Sequence, residues 1–245
     1  MESEAFRRQL ANLGIERGDT VLVHASMRAL GTARRPEAVL EDLEAAVGPA
    51  GTLLLPALTY DEVTPEHPVF DSEKTEPCVG LLPRTFWRMP GVVRSENPTH
   101  SVCAWGRLAH RLTVGHAMDD TAVGPHSPFM LLPLYQGKLL FIGDILHACT
   151  FMHGIEEIVR PPYITRVRQT YRVNGRLRSY EVCEAYGWGS EFQRVETLLE
   201  APDLKKGRLG AANAYLLDTR ALLAAALSAM RAEPYRFVTD ISSYI

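Results

Sequence analysis

The sequence predicts an α/β fold, layered α/β/α, with a central mixed sheet and a C-terminal helix. Thr20-Val21-Leu22-Val23-His24 and Gly51-Thr52-Leu53-Leu54-Leu55-Pro56 are short, continuous apolar runs of the kind that form strands buried on both faces. Between them Val39, Leu40, Leu43 and Val47 recur at helical spacing behind Pro36, a residue suited to a first helical turn. Strand, helix and strand at this spacing form a βαβ unit, and Leu139-Leu140-Phe141-Ile142-Gly143 adds a further buried strand.

The remaining elements follow in order. Phe6, Leu10 and Leu13 give residues 3–13 a helical stripe, closed by Gly14. Ser26 stands at a strand-to-turn junction, and Gly48 ends the helix behind Pro36. Residues 61–77, rich in Pro, Glu and Asp, read as a long surface loop. Val92 and Val93 mark a third strand and 108–114 a helix. Residues 163–183 alternate β-type side chains around Asn174-Gly175, a hairpin turn. The Ala/Leu-rich stretch 208–231, stopped by Glu233-Pro234, is expected to be the last helix. With no repeat or linker, 1–245 reads as a single domain.

Of the 245 residues, 46% are hydrophobic and 22% charged, as in an ordinary soluble globular protein. A net charge of −3 gives no electrostatic case for nucleic acid or an anionic membrane. No apolar run is long enough to span a bilayer. The four cysteines form no Cys-x-x-Cys pair and read as free thiols in a cytoplasmic protein.

The chemistry-bearing side chains concentrate in residues 143–157, where Asp144, His147, Cys149, Thr150, His153, Glu156 and Glu157 follow a buried strand. Sites of α/β folds lie at such strand ends. If Thr150 caps a helix, Glu156 sits one turn beyond His153, where a carboxylate fixes an imidazole's tautomer and raises its basicity. Alternatively, His153 is a satisfied polar residue at a helix end. Zinc is disfavoured, because no His-Glu-x-x-His or third-ligand motif accompanies His147, His153 and Glu156. Cys149 as nucleophile competes with Cys149 as a buried core residue. Ser26, Ser101 and Ser127 sit at turns, where hydroxyls and free N–H groups suit a nucleotide-type cofactor. There is no Walker or dinucleotide glycine motif. These residues support an enzyme without naming its reaction.

Val23-His24-Ala25-Ser26-Met27-Arg28-Ala29-Leu30-Gly31 resembles a segment of the aminoglycoside 3-N-acetyltransferase family, as does Gly51-Thr52-Leu53-Leu54-Leu55-Pro56-Ala57-Leu58-Thr59-Tyr60. Pro98-Thr99-His100-Ser101, Ser127-Pro128, Thr150-Phe151-Met152-His153-Gly154-Ile155-Glu156 and Gly207-Arg208-Leu209-Gly210-Ala211 fall in the family's order. The resemblance implies acetyl transfer from acetyl-CoA to an amino group of an amino sugar, with Thr150, His153 and Glu156 in the catalytic motif. His153 is then the general base, Glu156 orients it, and groups near Ser26 or Thr150 hold the oxyanion. It further implies a coenzyme A site at Ser26, Leu30, Gly31, Ser101, Ser127 and Phe129, and no metal.

The sequence also departs from the family pattern. His147 replaces an aspartate, Arg34-Arg35-Pro36 replaces a glycine pair, and Gly187-Trp188-Gly189-Ser190-Glu191-Phe192 replaces an acidic run. Six arginines lie between Arg160 and Arg178. If they border the acceptor site, they disfavour a polycationic aminoglycoside and favour an anionic or nucleotide-linked amine. A biosynthetic acyltransferase of that kind and a non-catalytic coenzyme A-binding relative are the alternatives; self-association stays open.

Overall fold

The computed structural model describes residues 3–244. Its centre is a seven-stranded mixed sheet. The strands are β1 (Thr20–Ala25), β2 (Thr52–Pro56), β4 (Val93–Arg94), β5 (Val102–Gly106), β6 (Lys138–Ile142), β10 (Leu204–Leu209) and β11 (Ala212–Asp218). They lie in the order β10-β11-β6-β1-β2-β5-β4. β1 runs parallel to β2 and β6, and the other pairings are antiparallel. The predicted mixed sheet between helical layers is therefore present.

Strand alternation explains the two layers. Val21 and Val23 of β1, Leu53 and Leu55 of β2 and Leu140 and Ile142 of β6 face one side. There they bury the stripes of α1 (Ser3–Leu13), α3 (Pro36–Val47) and α4 (Leu81–Trp87). Leu22, Leu54, Leu139 and Phe141 face the other side, against α5 (Ala109–Thr113), α6 (Pro128–Leu131), α7 (Phe151–Val159) and α8 (Thr219–Ala232). At roughly 1.5–3 kcal/mol per fully buried aliphatic or aromatic side chain, both faces contribute large apolar terms. A short helix, α2 (Met27–Leu30), follows β1.

Two smaller sheets flank this core. β3 (Val69–Phe70), β7 (Thr165–Val173) and β8 (Arg176–Glu184) form one; β9 (Trp188–Ser190) and β12 (Val238–Asp240) form the other. β7 and β8 are the expected hairpin, turning through Asn174 and Gly175 at φ 47° and 80°. The expected loop 61–77 contains β3, which pairs with β7.

The helix expected over 208–231 is a second correction. Its first half is the antiparallel hairpin β10-β11, and α8 starts only after Asp218, whose carboxylate accepts from the N–H groups of Arg220 and Ala221. Gly210 at φ 59° turns the hairpin, and pairing with β6 overrides the alanines' helical preference. Among the described residues no helix is long and apolar enough to cross a membrane.

Candidate active site

The three parallel strands end on one side of the sheet, and the site is built from the segments that follow them. After β6, Gly143 (φ 107°) turns the chain through a short 3₁₀ segment into α7. Phe151, Met152 and Ile155 hold α7 in the core. Gly154 faces α6, where a Cβ would crowd the Met130 side chain and Val123. Three residues apart on α7, His153 Nδ1 and Glu156 Oε2 are 2.8 Å apart. The second oxygen of Glu156 accepts from the Tyr163 hydroxyl at 2.8 Å.

Glu156 is 4% exposed, whereas the His153 side chain is 41% exposed. The carboxylate is thus fixed from both sides by charge-assisted hydrogen bonds, each worth about 1.5–3 kcal/mol. With Nδ1 engaged, Nε2 is the nitrogen left for a substrate proton. Enclosure favours the neutral ring, but the hydrogen bond and charge of Glu156, aided by the charge of Glu157, prevail and raise the His153 pKa above its ordinary value. Burial lifts the Tyr163 pKa, reinforced by Glu156, so its hydroxyl stays a donor.

Two cavities meet at His153. The larger, about 680 Å³, runs beneath the ends of β1 and β2 and reaches Thr150. Val23, Pro56, Leu58, Val79 and Phe192 give it apolar walls, Ser26 and Thr150 add hydroxyls, and Arg28 stands at its exposed rim. His24 in its wall stacks on Phe141 at 4.8 Å. Burial drives the His24 pKa down to about 3, so this ring is neutral. The lining of this larger cavity thus combines apolar walls, hydroxyls and one exposed cation. The smaller cavity, about 180 Å³, holds Glu156, Glu157, Glu181, Tyr171, Tyr180 and Cys183. Tyr60, His100 and His153 line both and form the throat between them.

The sequence-predicted residues divide accordingly. Thr150, His153 and Ser26 line the large cavity, and Glu156 touches His153 from behind. Thr150 precedes α7, but its hydroxyl makes no capping bond. Leu30, Gly31, Ser101, Ser127 and Phe129 are absent from the cavity wall. Leu30 and Phe129 are core residues, and Gly31 is an exposed left-handed cap. The Ser101 hydroxyl donates to the Ala57 carbonyl at 2.7 Å and accepts from Arg94 Nε; Ser127 caps α6. Turn hydroxyls here serve the backbone, the usual local use. His147 lines the cavity, whereas Asp144 anchors Asn213 and Tyr215 of β11. Cys149 is buried, and burial pushes its thiol up to about 12, which removes it as a nucleophile at neutral pH.

None of the six arginines lines the small cavity. Arg166 pairs with Glu181, Arg168 with Asp120 and Arg178 with Glu96. Arg160, Arg166 and Arg168 instead border a wider bowl of about 570 Å³ beyond Glu157 and Glu181, which also contains Asp119 and Asp120. The charge immediately beside His153 is therefore acidic. Glu157 accepts from Thr121 Oγ1 and the Val123 N–H; burial raises its pKa. Tyr163, Tyr60 and His100 were not predicted as site residues, although His100 stands in a motif of the resemblance.

A family profile described as aminoglycoside 3-N-acetyltransferase matches residues 22–231. Aminoglycoside N(3)-acetyltransferase IX of Micromonospora chalcea is 30% identical over 246 aligned residues, covering 87% of each chain. Aminoglycoside N(3)-acetyltransferase III of Serratia marcescens is 31% identical, covering 89% of this chain and 92% of its own. Among solved structures, AAC-IIIb in a binary complex with CoASH superposes with a TM-score of 0.81 at 27% identity, covering 97% of each chain. A mutant of aminoglycoside acetyltransferase AAC(3)-IVa in complex with a gentamicin superposes with a TM-score of 0.82 at 28% identity, covering 96% of this chain and 90% of the other. The matched span includes both cavities' strand-end segments and the paired His153 and Glu156, and the chain belongs to the aminoglycoside 3-N-acetyltransferase family.

Proposed function

We propose that the protein transfers the acetyl group of acetyl-CoA to an amino group of a polycationic amino sugar by direct attack, with His153 as general base. The observation that carries this reading is the position of His153 between an apolar channel and an acidic cavity, with Glu156 behind it. Relatives solved with CoASH and with a gentamicin support the two substrate classes. We place the reaction in the cytoplasm, in keeping with four free cysteines, and treat the chain as one acyltransferase unit.

The acceptor amine enters beside Glu157 and Glu181, sharing the second carboxylate with Arg166, and its reacting nitrogen lies in the throat. His153 Nε2 takes a proton from that nitrogen as its lone pair attacks the thioester carbon. The C–N bond forms and the carbonyl oxygen takes up negative charge. That oxygen then reforms its double bond, the C–S bond breaks, and the thiolate receives the proton carried by His153. Glu156 stabilises the imidazolium between these transfers. Ser26 is suited to meet the oxyanion: its oxygen accepts from the Ala29 N–H at 3.2 Å, leaving its own proton to donate. Thr150 Oγ1 lies on the same wall, 3.4 Å from the Ala148 carbonyl. No step requires a metal.

An anionic acceptor draws support only from Arg160, Arg166 and Arg168 at the outer bowl, two of which are already paired. The test is coenzyme A thiol release from acetyl-CoA with a gentamicin-type polycation and with a phosphate-bearing amino sugar. The polycation is expected to have the higher kcat/KM, falling as salt screens the carboxylates. Preference for the phosphorylated amine, or a polycation rate that salt does not lower, overturns the acceptor assignment.

A further inference from the structure

The throat contains a second histidine that the mechanism above leaves idle. His100 lies between Tyr60 and His153, with ring centroids 6.1 and 5.9 Å away, and is set edge-on to His153. It borders both cavities, as only Tyr60 and His153 otherwise do among the residues lining these two cavities.

Its segment is held with unusual completeness for a loop. Asn97, fully buried, accepts from the N–H groups of Thr99 and His100 and donates to the Thr121 carbonyl. Thr59 donates through its hydroxyl to the Pro98 carbonyl at 2.6 Å and through its N–H to the Thr99 carbonyl at 2.9 Å. The Ala57 N–H donates to the Ser101 carbonyl at 2.8 Å. The ring is fixed in turn, its Nδ1 2.9 Å from Thr99 Oγ1. Nε2 has no hydrogen-bond partner among the described residues, yet it is not among the sealed, unpaired buried atoms. A side chain fixed at one nitrogen and free at the other, on a rigid loop between two substrate cavities, is preorganised to meet a reacting atom.

We propose that His100 is a catalytic residue that donates Nε2–H to the thioester oxygen in the throat as negative charge develops there. The inference rests on the reading of His153 as base. The thioester oxygen offers only lone pairs, so the serving tautomer carries its proton on Nε2, with the Thr99 hydroxyl donating to Nδ1. The neighbours favour a ring without charge. Burial drives the His100 pKa down to about 3, assisted by the positive forms of His153 and His116. A neutral imidazole donates without giving up its proton, so His100 stabilises the oxyanion while His153 moves the acceptor's proton.

The experiment has two arms. In the first, steady-state kinetics are measured for His100→Ala, His100→Gln, Thr99→Val and His153→Ala, with coenzyme A binding measured calorimetrically for each. His100→Ala is expected to lose about 10²-fold in kcat, within the range for one oxyanion donor, with coenzyme A affinity unchanged. His100→Gln, whose amide N–H replaces the donor, should recover part of that loss, and Thr99→Val, which frees the tautomer, should fall between. In the second arm, ¹⁵N NMR of the histidine side chains reads His100 directly and is expected to show a neutral ring protonated at Nε2 from pH 8 down to pH 5. A His100→Ala defect confined to KM, no recovery in His100→Gln, or an Nδ1-protonated or charged His100 ring overturns the proposal. Loss in His153→Ala with full activity in His100→Ala rejects the His100 role alone; full activity in both rejects the base assignment on which it rests.

Discussion

Replacing His153 with alanine is expected to lower kcat by about 10²–10⁴-fold, the range for a positioned general base. Coenzyme A affinity should stay within a few-fold of wild type, because the imidazole stands at the throat while the channel walls and rim remain. The fold should survive, since the side chain is 41% exposed and its anchor Glu156 keeps the Tyr163 hydroxyl. Substrate affinities and the melting temperature, measured beside kcat, separate a chemical defect from a structural one. Near wild-type turnover in a folded variant would remove His153 from the chemistry.

Glu156→Gln tests the carboxylate with little change in shape. The amide oxygen can still accept from His153 Nδ1, and the Tyr163 hydroxyl can turn to accept from the amide nitrogen, so what disappears is the charge. Turnover should fall about 10²–10⁴-fold, by analogy with the carboxylate of a serine-protease triad. The pH profile should change in a defined direction. In the wild type Glu156 raises the His153 pKa, so active base is lost as pH falls through that raised value. Without the charge, the same loss occurs only at lower pH, and the acidic limb of kcat/KM moves down. An unmoved limb would mean that another group titrates there.

The parts of the fold held by local pattern were legible in the sequence. β1, α3, β2 and β6 carry their own apolar runs or stripes, and Asn174-Gly175 announces its hairpin. Elements made by distant pairing were not. β3 is two residues long and exists through β7, and β10-β11 hides in an alanine-rich stretch because β6 supplies its pairing. At the site, His153 and Glu156 could be found together because one helix carries both. Tyr163, Tyr60 and His100 reach the same point from other segments, where no single-segment pattern shows the convergence. Of the serines at turns, Ser101 and Ser127 have hydroxyls occupied by the backbone or by Arg94, and Ser26 stands on the cavity wall, a division that needs the packed structure to be seen. A count of arginines likewise leaves out pairing and position, through which charge acts, and three of the six are paired.

Direct transfer across the throat, with no acyl-enzyme, is the central claim, and initial-rate kinetics with acetyl-CoA and a polycationic amino sugar varied together test it most directly. The account predicts intersecting double-reciprocal lines, one free thiol per N-acetylated amine, and no acetyl group on the protein when acetyl-CoA is supplied alone. Parallel lines with an acetyl group recovered on Cys149 or another side chain would contradict it.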